Sequence, residues 1–132
     1  MRISTKILSL GLKEWSNAVR ESLTPGQRVN FCGVSSCWEL CALPQTVLAD
    51  IAVLHHTFAP HDTRYAAAYI RRRWPDAVIL IIGEQADILD DPLYDDKAGS
   101  GISTEELISL IDESVGAKRR MLKDARTRSG TS

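Results

Sequence analysis

Short runs of apolar residues alternate along the chain with stretches in which apolar residues recur every three or four positions. The short runs are typical of strands that are buried on both faces. They predict strands at residues 6–10, 27–34, 50–55 and 77–82. The helical spacing predicts helices at 14–23, 37–43 and 64–74, and a last helix that begins at Ser103. Strands that alternate with helices favour a parallel sheet with right-handed crossovers, and therefore a three-layer α/β domain.

The composition is that of an ordinary globular chain. Its 132 residues suffice for one core, and 44% of them are hydrophobic and 25% charged. The net charge of −1 gives no general reason to expect binding to nucleic acid or to a membrane surface. No apolar run approaches the roughly 20 residues of a membrane-spanning helix. The three cysteines form no disulfide framework, so we predict a soluble protein of the reducing cytoplasm.

The middle of the chain has a recognisable order of elements. A buried strand ends at His55-His56, a helix with the run Ile70–Pro75 follows, and a second buried strand is halted by Gly83. This order resembles the receiver domain of bacterial response regulators, a CheY-like family of two-component signal transduction. The resemblance covers most of the chain, and it implies a flavodoxin-like sandwich with a parallel five-stranded sheet.

The interval from Gly83 to Ile102 should hold the fourth helix and the fifth strand of that family. Here it is polar and acidic, with Asp90-Asp91-Pro92 and Asp95-Asp96, and it shows no helical pattern. We therefore expect the family's fourth helix to be shortened or missing. Members of the family signal mainly through that helix, the adjacent strand and the last helix, so such a change would alter the output surface as well.

The positions that carry the family's chemistry hold other residues in this chain. A receiver accepts a phosphoryl group on an aspartate that ends a central strand, with a divalent cation held by that aspartate and by an acidic pair after strand one. The matching positions are His55 for the acceptor, with Gly11 and Leu12 for the acidic pair. Gly83 stands in the place of the hydroxyl residue, and Ser100 in that of the lysine. Since magnesium requires hard oxygen ligands, the resemblance implies a degenerate pocket without catalytic residue, metal or cofactor.

The leading hypothesis is therefore a pseudo-receiver that is neither phosphorylated nor an enzyme. Residues 1–117 would form the receiver-like domain, and residues 118–132 a basic helix end and tail. The domain would act in signalling by binding a protein partner, unidentified by sequence, through the strand-end loops or the face near the last helix. Neither nucleic acid nor a membrane is expected as a partner, and the oligomeric state stays open.

An alternative hypothesis is a small-ligand or metal sensor that uses the pocket at His55. The chain offers His55 and His61 as metal ligands, with Asp62 beside them. His55 and His56 should not share a metal, because adjacent residues on a strand point to opposite faces. The plain interpretation is a group of loop-edge histidines, one of them hydrogen-bonded in the pocket. A third hypothesis, a small enzyme, lacks any recognisable grouping of acid, base and nucleophile.

The cysteines and the charged runs also have two interpretations each. Cys32, Cys37 and Cys41 lack the spacing of a metal or redox motif, so core packing is favoured over chemistry. The acidic loop 84–96 and the basic stretch 118–128 are most simply solvated surface. The sharper alternative is that the basic tail binds an acidic partner or leads towards a further module.

Overall fold

The computed structural model describes residues 5–22, 29–58, 60–83, 94–99 and 101–130, except for the side chains at 22, 29, 60, 61 and 122–130. The described strands are β1 (Thr5–Leu10), β2 (Val29–Val34), β3 (Ile51–His55), β4 (Val78–Ile82) and β5 (Asp96–Ala98). The described helices are α1 (Lys13–Ser22), α2 (Cys37–Cys41), α3 (Pro60–Arg73) and α4 (Thr104–Gly130). No helix in these parts of the chain is long and apolar enough to cross a membrane.

The five strands form one parallel sheet in the order β2-β1-β3-β4-β5. This is the flavodoxin-like order, and it confirms the predicted fold. Every residue of β3 and β4 is buried, as their unbroken apolar sequences predict for central parallel strands.

Alternate side chains of the central strands enter two separate cores. Ala52 and Leu54 of β3 point to one face, and Ile51 and Val53 to the other. The first face is covered by side chains of α2, α3 and their connections: Leu40, Phe58, Ala66, Ala67, Ile70 and Trp74. The second face is covered by side chains of α1 and α4: Val19, Leu107, Ile111 and Val115. These are the three layers that the alternation of elements predicted.

The edge strand β5 has only three residues, which are polar or small, so the apolar pattern could not reveal it. Asp95 fixes the start of this strand. Its backbone N–H donates to the carbonyl of Ile79 at 2.8 Å, and its carboxylate accepts from the N–H of Ile79 at 2.8 Å. The same carboxylate binds Arg71 at 2.9 Å. The predicted shortening of the family's fourth helix concerns residues 84–93, which lie outside the described residues.

Helices α1 and α2 lie within two residues of their predicted bounds, whereas α3 and α4 differ by more. Helix α3 begins at Pro60, before the predicted Arg64, because proline suits a first helical turn where the missing N–H needs no partner. Helix α4 begins as predicted, with the Ser103 hydroxyl accepting from the N–H of Glu106 at 3.2 Å. It continues to Gly130, so most of the stretch 118–132, expected as a basic helix end and tail, is helical. Its last turns contain strong helix formers such as Lys, Arg, Leu and Met, and no proline.

Candidate functional site

The carboxyl ends of three neighbouring strands bring the predicted site positions together. Gly11 and Leu12 follow β1, His55 is the last residue of β3, and Gly83 follows β4. Because β3 pairs with both β1 and β4, these ends are adjacent in the sheet. Ser100 lies outside the described residues. The edge of the sheet that sequence reasoning selected is therefore a real cluster, formed by parallel pairing.

His55 forms the centre of an aromatic stack. Its side chain is buried, with 7% of its surface exposed. The indole of Trp15, from the first turn of α1, stacks on the imidazole with ring centroids 4.1 Å apart and an interplanar angle of 17°. The ring of His56 also packs against that of His55, with centroids 4.1 Å apart and an interplanar angle of 39°. We call Trp15, His55 and His56 the aromatic stack.

The contact between His55 and His56 corrects the expectation that their side chains point to opposite faces. The alternation of side chains holds only within a strand, and β3 ends at His55. His56 lies in the following turn, where the backbone changes direction and its ring can turn back onto His55.

Thr57 holds the imidazole from the side, and sequence reasoning missed it. Its hydroxyl oxygen lies 2.8 Å from Nδ1 of His55 and accepts a hydrogen bond from the backbone N–H of Leu12 at 2.9 Å. Its own backbone N–H also donates towards Nδ1, at 3.4 Å. Since donors surround Nδ1, this nitrogen acts as the acceptor, which assigns the ring proton of His55 to Nε2. A neutral imidazole fits these partners.

The electrostatics of the cluster agree with a neutral His55. Burial, and to a lesser extent the nearby His56, lower the pKa of His55 to about 4. Near neutral pH, His55 is therefore an uncharged, hydrogen-bonded ring packed between other rings.

Gly11 is required by the stack. A Cβ atom at this position would lie 2.9 Å from Cβ of His55, 2.9 Å from the Thr57 hydroxyl oxygen and 3.2 Å from the Trp15 ring. The two distances of 2.9 Å are shorter than real Cβ contacts, and that of 3.2 Å is tighter than most; the atoms concerned belong to a packed cluster. A residue with a side chain at position 11 therefore requires His55 or Thr57 to shift.

Glycine at position 83 is explained by the backbone conformation there. Its φ is 113°, a conformation that residues with side chains rarely adopt, and its N–H donates to the carbonyl of Ala98 at 2.9 Å. Glycine here lets the chain leave β4 while extending the pairing of β4 with β5.

The described side chains do not support a metal centre. They contain no group of three or more His, Cys, Asp or Glu residues placed to hold a metal ion. The side chain of one candidate ligand, His61, is not among those that the structure describes. The other, His55, has Nδ1 hydrogen-bonded to Thr57 and its ring packed against those of Trp15 and His56.

The cysteines divide between the core and the surface. Cys32 and Cys37 are half-buried and pack against the core, as favoured from sequence. Burial, with Asp62 and Cys41 nearby, raises the pKa of Cys37 to about 11, so its thiol stays protonated and unreactive. Cys41 is exposed, so the expectation of core packing is wrong for this residue.

Comparison with solved structures finds the same fold in proteins of very different sequence. An adenylate cyclase from Rhodopirellula baltica has a TM-score of 0.76 at 11% identity, over 96% of this chain and 98% of that one. The signal receiver domain of an HD domain-containing protein from Pseudomonas fluorescens Pf-5 has a TM-score of 0.74 at 11% identity, over 89% and 99%. The N-terminal signal receiver domain of a two-component system response regulator from Bacteroides fragilis has a TM-score of 0.67 at 16% identity, over 86% and 98%.

No protein-family model matches the sequence, and no curated protein matches it. At identities this low, structural likeness establishes a common fold and leaves activity to be argued from the site. The strand order, the parallel register and the solved structures agree with one another. The protein has the flavodoxin-like fold of response-regulator receiver domains.

Proposed function

We propose that this protein is a pseudo-receiver, a non-catalytic signalling module that binds a protein partner and is not itself phosphorylated. The observation that carries the proposal is the aromatic stack at the carboxyl ends of β1 and β3. It occupies the place where a receiver needs carboxylates, and it requires a glycine at position 11.

The chemistry of phosphoryl transfer explains why this edge is unsuited to it. An acyl phosphate requires an acceptor carboxylate, and a cation held by hard oxygen ligands must offset the phosphoryl charge. Position 55 supplies a neutral imidazole, and the positions after β1 supply Gly11 and Leu12. Introducing a carboxylate at position 11 would force its Cβ into His55.

The alternative of a small-ligand or metal sensor gains no support from the described residues. A sensor would need an accessible imidazole with a free nitrogen and further ligands beside it. Two rings pack against His55, its Nδ1 is hydrogen-bonded, and its exposed fraction is 7%. The interaction module is therefore the function that the geometry favours.

The test is a titration with beryllofluoride and Mg²⁺, which together mimic an acyl phosphate on aspartate. Amide ¹H–¹⁵N spectra of the protein should show no saturable shifts at Gly11, Leu12, His55 or Gly83. A phosphorylatable receiver domain in the same buffer serves as the positive control. Saturable shifts at these four amides would overturn the proposal.

A further inference from the structure

One flank of the molecule exposes large apolar side chains. Trp38 of α2 is 83% exposed, Leu48 in the connection from α2 to β3 is 56% exposed, and Tyr65 of α3 is 52% exposed. Single exposed apolar residues are ordinary, but a contiguous group of them marks an interaction surface.

Cys41 connects them. It lies one turn after Trp38 on α2, so the two side chains share a helix face. Its sulfur lies 4.0 Å from the hydroxyl of Tyr65. Cys41 and Leu48 also line a single groove of about 440 Å³ between the α2–β3 connection and α3. We call this the α2–α3 groove; its other lining residues are Leu43, Gln45, Val47, Tyr69, Arg73 and Trp74.

Arg73 brings a positive charge to an otherwise uncharged groove. It is half-buried, its guanidinium lies 4.4 Å over the ring of Trp74, and it donates to the Tyr69 hydroxyl at 3.2 Å and to the Pro44 carbonyl. Among the described residues these partners are all neutral. Arg71, two positions earlier, is paired with the carboxylate of Asp95 at 2.9 Å. Neutral groups thus hold the guanidinium of Arg73 in place, and its positive charge can pair with a carboxylate of another molecule.

The charge also decides between kinds of occupant. Two copies of this chain that met through the groove in a symmetric dimer would each place Arg73 in the shared interface, because such contacts use the same patch twice. Like charges in an interface are unfavourable, whereas a carboxylate from another protein would be complementary. The groove therefore favours an acidic partner over a second copy.

We propose that the α2–α3 groove binds a segment of a partner protein that carries an Asp or Glu side chain beside apolar side chains. The carboxylate pairs with Arg73, and the apolar side chains cover Leu48 and Trp38. This inference rests on the proposed role as an interaction module, and it places the interface away from the strand-end loops and from α4.

The experiment selects peptides from a random 12-residue display library on the wild-type protein. The selected peptides should be enriched in Asp or Glu together with aliphatic or aromatic residues. A synthetic peptide from the selection is then titrated into protein labelled with 5-fluorotryptophan, which gives separate ¹⁹F signals for Trp15, Trp38 and Trp74. The signal of Trp38 should shift.

Variants test the contacts one by one. Arg73→Gln and Trp38→Ser should each weaken the peptide at least about tenfold, the size typical of central interface residues. Arg20→Gln is the matched control, because Arg20 also lies over an aromatic ring, 5.1 Å from that of Phe31, but on α1. It should leave the affinity unchanged. Trp38 is so exposed that its replacement tests binding without disturbing the core.

Several results would overturn the inference. They are selected peptides without acidic residues, an affinity unchanged in both groove variants, or a shift of Trp15 without Trp38. A dimer that Trp38→Ser dissociates would show that a second copy occupies the groove. Peptides that bind another face would refute the groove and leave the interaction module standing, whereas the beryllofluoride titration tests the absence of phosphorylation independently.

Discussion

At the scale of single residues, the candidate site is a set of mutually dependent choices. Matching the chain to the receiver family identified Gly11, Leu12, His55 and Gly83, because the end of a strand can be located where an apolar run stops. It could not identify Trp15 or Thr57 as partners of His55. Trp15 reads equally well as part of the apolar stripe of α1, and only the packing of α1 against the sheet brings its ring onto the imidazole.

Gly11→Ala should destabilise the protein by about 1–3 kcal/mol, the usual cost of forcing an extra atom into a packed cluster. The reason is the 2.9 Å approach of the new Cβ to His55 and to Thr57. Urea unfolding followed by circular dichroism measures the effect. Gly99→Ala is the control, because a Cβ at that position meets nothing within 4 Å. Equal stability of the two variants would show that the stack is loosely packed.

The buried imidazole predicts a loss of stability in mild acid. The pKa of His55 is lowered from 6.5 to about 4 in the folded protein, so between these values the unfolded chain binds the proton more tightly. The stability that depends on a neutral His55 is fully present above pH 6.5. As the pH falls towards 4, the free energy of unfolding decreases by about 2–3 kcal/mol.

Ring ¹H–¹³C spectra should show His55 titrating near pH 4. Unfolding measured from pH 4 to 7 should be less pH-dependent in His55→Gln than in the wild type. A midpoint of His55 near 6.5 would contradict the described burial.

At the scale of elements, predictability follows burial. The central strands β3 and β4 were found because both of their faces need apolar residues, and the start of α4 because Ser103 and Glu106 form a cap. The short edge strand β5 was hidden because its residues are polar or small and its position depends on the contacts of Asp95. Such long-range hydrogen bonds leave no periodic trace in a sequence.

Asp95→Ala should loosen β5 and lower stability by about 1–3 kcal/mol, since it leaves the buried N–H of Ile79 without its carboxylate acceptor. Hydrogen exchange should accelerate at the amides of Ile79 and Gly83. Asp96→Ala is the control, because that carboxylate is exposed and, among the described residues, bonds locally to the N–H of Lys97 at 2.8 Å. Unchanged exchange in Asp95→Ala would mean that backbone pairing alone holds the edge.

At the scale of the whole molecule, the fold tolerates almost complete replacement of its sequence. Identities of 11–16% to the solved receiver domains still accompany TM-scores of 0.64–0.74, because layer order depends on the pattern of buried positions. The same pattern does not report surface chemistry. The α2–α3 groove could therefore not be predicted from the sequence, where lining residues such as Leu48 and Arg73 lie far apart.

The length of α4 gives a prediction at this scale. Among the described side chains of α4, Leu107, Ile111 and Val115 are buried in the core and Leu110 packs against it, whereas Met121 is 67% exposed. Deletion of residues 122–132 should therefore change the free energy of unfolding by less than about 0.5 kcal/mol. Val115→Ala, as a contrast, should cost about 1–3 kcal/mol. Chemical denaturation measures both, and a large loss on truncation would show that the last turns pack on the body.

The tight fit at Gly11 imposes an order on any future change at this edge of the sheet. A side chain at position 11 meets Cβ of His55 and the hydroxyl oxygen of Thr57 at 2.9 Å, so smaller rings at 15 and 55 would not by themselves make room for it. Directed evolution towards a carboxylate-lined edge would therefore pass through destabilised single substitutions, and a library should vary positions 11, 15, 55 and 57 together.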